Sequence, residues 1–225
     1  MPEASRDRSL GTLAQKYIMI DDLVRYVDRT TSGALSVEVC FSGASSERLG
    51  SENPEETDVE VRILRKSNIH LDSSPWIVVV ARPEGNIKMP SGSWNGIKLT
   101  EIFEDRVFVA ISSKLSEIDV ATGEIIWSLE TGNTPIYWIM ASRNGDGLIV
   151  FNGYYRFRHP LGFANIAFVS FSGVEEWRSP LPSGDDIFAN HPYYDGKLLK
   201  SSSWNGITYT IDHASGDILD RHFTK

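Results

Sequence analysis

The chain has 225 residues, 30 acidic against 22 basic side chains, and a formal net charge of −8. That balance argues against nucleic acid as a partner, because phosphate backbones attract basic surfaces; it favours solubility and a basic protein partner. No stretch approaches the roughly 20 apolar residues that cross a bilayer. No secretion signal follows the charged start Met1–Arg8, and the lone Cys40 cannot form an internal disulfide. These features predict a cytoplasmic protein without membrane association.

In chain order, Leu13, Tyr17, Ile20, Val24 and Val27 recur at helical spacing and predict one amphipathic helix from about Leu10 to Asp28. A competing reading takes Val27–Gly33 as a strand and turn. Leu35–Phe41, Val59–Leu64 and Trp76–Ala81 read as strands, and the polar stretch Ser42–Asp58, rich in acids, as an exposed loop. Further strands are expected at Arg106–Ile111, Leu148–Phe151, Ile166–Val169, Leu198–Lys200 and Ile207–Ile211, the last two joined through an Asn205-Gly206 turn.

One phrase recurs. Ile118-Asp119-Val120-Ala121-Thr122-Gly123-Glu124-Ile125-Ile126-Trp127 returns as Ile211-Asp212-His213-Ala214-Ser215-Gly216-Asp217-Ile218-Leu219, with a degenerate copy at Val169–Trp177. The marker glycines 123, 173 and 216 are 50 and 43 residues apart, the period of a propeller blade. Asp and Thr/Ser bond backbone amides within such a turn, and Gly takes the positive φ. Trp127 and Trp177, four residues beyond the glycine, are placed to pack under the next blade; the last copy carries Asp220 there.

This phrase resembles the repeat of the quinoprotein-like (PQQ-like) β-propellers, whose core is Asp-Xaa-Xaa-Thr/Ser-Gly-Xaa-Xaa-Xaa-Trp. The resemblance covers about residues 92–225 and implies a mainly β chain. It would be a partial or small propeller-like repeat of about three antiparallel blades over 91–225, with residues 1–90 a helix-and-strand segment packed on them. The family's blade serves enzymes, scaffolds and binding proteins alike. None of its cofactor or metal residues finds a counterpart here, so no cofactor, metal or catalytic residue is expected.

Chemistry-bearing motifs are few. The five histidines lack zinc spacing, Gly92–Gly96 does not meet the Gly-Xaa-Ser-Xaa-Gly pattern, and Asn144–Gly147 reads as a turn. Asp212-His213 reads as part of the repeat turn. Ser-Xaa-Ser-Trp-Asn-Gly-Ile occurs twice, 110 residues apart, placing Trp94 and Trp204 on matching hairpins or, alternatively, as paired aromatic anchors for a partner. The insertion Asn152–Asn165 holds Tyr154, Tyr155, Arg156 and Arg158, which either fold back on the blade or carry recognition.

The reading that follows is a non-enzymatic protein-binding module, in its narrow form an immunity-type protein that occludes a toxin domain. Two rivals remain open. One is a small-ligand binder or enzyme drawing on His159, His191, Asp185 and Asp186 from blade loops; the other is a structural subunit that completes itself as a homodimer.

Overall fold

The computed structural model describes residues 18–20, 23–32, 35–44, 58–65, 77–81 and 98–223, except 112, 133, 153–164 and 183–185. These residues form four antiparallel sheets and no helix. The first comprises β1 (Ile18–Ile20), β2 (Leu23–Ser32), β3 (Leu35–Ala44), β4 (Asp58–Arg65) and β5 (Ile77–Ala81). The second comprises β6 (Thr100–Phe103), β7 (Arg106–Ile111), β8 (Lys114–Ile118) and β9 (Ile125–Glu130). The third comprises β10 (Ile136–Ala141), β11 (Gly147–Asn152), β12 (Ile166–Ser170) and β13 (Glu175–Arg178). The fourth comprises β14 (Tyr193–Asp195), β15 (Leu198–Ser202), β16 (Ile207–Ile211) and β17 (Ile218–Phe223). Each is a simple meander in chain order, and none closes on itself.

The helix expected over 10–28 is corrected where it can be seen. Residues 10–17, 21 and 22 lie outside the described residues, while 18–20 and 23–28 are strand. The physical reason is a ladder: all ten residues of β2 pair with β3, from Leu23 opposite Ala44 to Ser32 opposite Leu35. A continuous ladder outweighs a helical spacing carried by β-branched residues. The expected loop 42–58 is shortened at both ends, since 42–44 continue β3 and 58 opens β4; 45–57 lie outside the described residues.

The sheets stack in chain order. Thr30 Oγ1 of β2 donates to the carbonyl of Thr100 at 2.9 Å, tying the first sheet to β6. Leu35, Val37 and Val39 of β3 join Val107, Val109, Leu148, Val150 and Val169 in one apolar cluster. Ile149, Phe151, Ile166 and Phe168 belong to a second cluster, with Leu199, Tyr209 and Ile211. Alternate residues of β11 thus enter opposite clusters, the period-two signature of a strand covered on both faces. The second and third sheets are also joined at the backbone, by Lys98 N to Tyr137 O and Ile139 N to Lys98 O, both 2.9 Å.

The repeat turns interlock the sheets. In the first copy Asp119 Oδ1 accepts from the amides of Ala121 and Thr122 at 2.7 and 2.8 Å, and Gly123 adopts φ 76°. Those bonds hold the Asp119 carboxyl below its usual range. Asp212 Oδ1 repeats the cap on Ala214 at 2.7 Å. In the degenerate copy Gly173 N bonds Ser170 O, where Gly123 N bonds Asp119 O, so that turn is one residue shorter and Ser170 replaces the capping Asp.

Each Trp of the phrase reaches the following sheet. Trp127 Nε1 donates to the carbonyl of Phe171 at 3.2 Å and to Glu117 Oε2 at 2.7 Å; Trp177 Nε1 donates to the carbonyl of His213 at 2.9 Å. Cross-strand rows show where this stops. Phe108–Glu117–Trp127 and Ile149–Phe168–Trp177 are replaced in the fourth sheet by Lys200–Thr210–Asp220. The last sheet carries a polar row where the two before it present aromatics to a successor.

Candidate binding surface

The second and third strands of the last three sheets are joined by residues 112–113, by residues 153–165 and by Ser203–Gly206, connections of different length. Loops projecting from rigid sheets are where recognition residues concentrate.

The Ser203–Gly206 turn is held from two sides. Ser203 N bonds Ile207 O at 2.8 Å and Gly206 N bonds Ser203 O at 3.1 Å, with Gly206 at φ 77°. From behind, Trp204 N donates to Ile187 O at 3.0 Å, and Ser203 bridges Phe188. The backbone is therefore fixed while the Trp204 residue is 63% exposed. Phe223, also well exposed, stands opposite Ile207, the residue that closes this turn.

The base of the 153–164 segment is clamped by two asparagines that sequence reasoning did not single out. Asn152 N bonds Asn165 O at 2.9 Å. Asn152 is fully buried; its Nδ2 donates to Thr131 Oγ1 at 2.9 Å and Thr134 O at 3.0 Å, and its Oδ1 accepts from Arg178 at 3.2 Å. Asn165 Nδ2 donates to Phe188 O at 2.8 Å. One asparagine thus ties the segment to the exit of the second sheet and the other to the entrance of the fourth. A local signal existed, since Asn flanks the segment on both sides, but its bonding partners are distant in sequence.

Trp204 is the one expected anchor that the described residues include. Trp94, Tyr154, Tyr155, Arg156 and Arg158 lie outside them, as do His159 and Asp185 of the rival reading. Of the remaining rival residues, Asp186 is buried, with Oδ1 accepting from the Ile187 amide at 3.0 Å. His191 stacks on Trp138 with ring centroids 4.0 Å apart and 13° between planes; burial lowers its pKa from the usual 6.5. Lys98 approaches the same indole at 6.0 Å.

His213 has a turn role. Its carbonyl receives the Trp177 N–H, and its ring packs edge-to-face with Phe168, the centroids 5.2 Å apart. Among the described residues, no three His, Cys, Asp or Glu side chains come together to hold a metal, and no helix is long and apolar enough to cross a membrane.

No family model matches the chain. Among curated proteins, too, none matches it. Of solved structures, it is similar to the computationally designed Ika8 protein, with a TM-score of 0.44 and 11% identity, over 92% of this chain and 73% of that one. That likeness carries no inference about function.

Proposed function

We propose that this chain is a protein-recognition module built on propeller-like blades of the PQQ-like kind. Its recognition residues stand at the end of the stack that presents Trp204. The observation that carries this reading is the Trp204 turn: a backbone pinned from two sides that leaves a large aromatic 63% exposed. Trp contributes disproportionately to interfaces because it buries a large area at low entropic cost. A pre-fixed turn spares the ordering cost that a mobile loop adds to binding.

The blade-like assignment is supported by the three successive four-stranded meanders and by the recurrent Asp-cap turns. In the narrower form, the partner is a toxin domain that the chain occludes, with a basic surface to match the acidic charge of −8.

The test is affinity capture from the chain's own cells, with wild type and Trp204→Ala side by side. A stoichiometric partner held by wild type, and held about 30-fold more weakly by the variant, is expected, equivalent to about 2 kcal/mol. Equal retention removes Trp204 from the interface. No partner at low or moderate salt ends the recognition reading.

A further inference from the structure

The fourth strand of each of the last three sheets is an edge strand: β9, β13 and β17. Natural edges are defended by short length, basic side chains or Pro. β13 has four residues and ends in Arg178, and β17 carries Arg221 and His222. β9, Ile-Ile-Trp-Ser-Leu-Glu, has six residues, no Pro and no basic residue. Its first two residues, Ile125 and Ile126, are both more than half exposed, at 53% and 56%. Both stand at the register shift of the β8–β9 ladder, where Ile118 pairs with Ile125 and Glu117 with Trp127, so the edge offers two adjacent exposed β-branched side chains.

The backbone pattern tells which groups face outward. Thr131 N bonds Ser113 O, and the ladder places Leu129 opposite Leu115 and Trp127 opposite Glu117. Alternation along an antiparallel pair then turns the amides of Ser128 and Glu130 away from β8, up to the register shift that sets Ile126 between the Trp127 and Ile125 pairs. The charges around the edge are acidic: Asp119, Glu124 and Glu130, with Lys114 opposite Glu130 the one exposed base on β8 and β9.

We propose that β9 is a strand-addition edge for an extended, basic segment of a partner protein with alternate apolar side chains. Main-chain bonds to the outward groups at 128 and 130 would hold it. Its apolar residues would cover Ile125 and Ile126, and its cations would face Glu124 and Glu130. A second copy of the chain is a poorer occupant. Antiparallel pairing of β9 with itself about Trp127 sets Glu124 against Glu130 on both sides, and like charges directly opposite are destabilising. This surface is separate from the Trp204 turn, which belongs to the fourth sheet, and does not depend on it.

The experiment titrates the full chain with a capped peptide alternating lysine and valine, read by amide hydrogen exchange. A peptide alternating glutamate and valine is the control. Slowed exchange at Ser128 and Glu130 with the lysine peptide alone is expected. Glu124→Lys and Ile126→Lys, both at exposed positions, should each weaken the effect by about tenfold or more. The proposal is overturned by no slowing, by equal slowing with the glutamate peptide, or by variants that bind as wild type does. Slowing that depends on chain concentration without peptide overturns it in favour of self-pairing.

Discussion

A methyl group placed on Gly173 would lie 2.6 Å from Cδ2 of Trp127, in the preceding sheet. Gly216 and Trp177 repeat the relationship, with 2.4 Å to Cε3. The Gly and Trp of the phrase are therefore coupled across repeats: the aromatic of one unit covers the turn glycine of the next. Both glycines also adopt positive φ, 81° and 79°, so backbone and packing each demand Gly at these two positions.

Gly173→Ala and Gly216→Ala should each cost about 2–5 kcal/mol, combining left-handed strain of about 1–2 with overlap of about 1–3. Denaturant unfolding reads this directly. With Trp127→Ala already in place, the Gly173→Ala penalty should shrink to the strain alone. An unchanged penalty in that background would show that the indole does not constrain the turn.

Arg106 holds the buried Glu117 through two contacts, Nε to Oε1 at 2.7 Å and Nη2 to Oε2 at 2.5 Å, and its Nη2 also reaches the Phe171 carbonyl. Arg106→Met leaves that carboxylate buried, with the Trp127 N–H as its remaining side-chain donor, and should cost about 3–5 kcal/mol. Lys200→Ala, which breaks a pair to the exposed Asp195, should cost under about 1 kcal/mol. Comparable losses in thermal unfolding would contradict the assigned burial.

Burial lowers the pKa of His191 below its usual 6.5, so the unfolded chain binds this proton more readily than the folded one. Stability should therefore fall as pH drops from about 6.5 toward the lowered folded pKa. His191→Gln should flatten that part of the profile, in the difference between variant and wild-type unfolding curves. Identical slopes would mean that the imidazole on Trp138 titrates as a free one.

Trp204→Ala should leave stability within about 0.5 kcal/mol of wild type, because an exposed turn side chain contributes little to the core. A large loss in unfolding free energy would make Trp204 a structural residue and disqualify it as a clean probe of recognition.

Strands with strong local signals were legible, among them Arg106–Ile111 and Ile207–Ile211, which coincide with β7 and β16. β6, β10 and β14 were not. β14 has only three residues, too few to show a period, and β10, Ile-Tyr-Trp-Ile-Met-Ala, is a continuous apolar run without alternation. The N-terminal segment misled because its apolar positions fit a 3.6 period, while its pairing with β3 lies beyond any local window. At the candidate surface, the Asn-Gly turn that carries Trp204 was readable; Asn152 and Asn165 were not, because partners at Thr131, Thr134 and Phe188 give them their roles.

The sequence by itself determined the repeat turns. Asp119 and Asp212 cap amides within three residues of themselves, and glycine alone takes the positive φ without strain, so that chemistry is complete inside five residues. It also set the last copy of the phrase apart, through Asp220 in the Trp position. Only the tertiary structure decided where Trp127 and Trp177 point, which faces of β11 are covered, and that residues 23–32 form a strand. Each of those outcomes depends on surfaces and backbone groups that meet only when the sheets stack, and burial and ladder pairing between distant segments outweigh the small local preferences a short window can express.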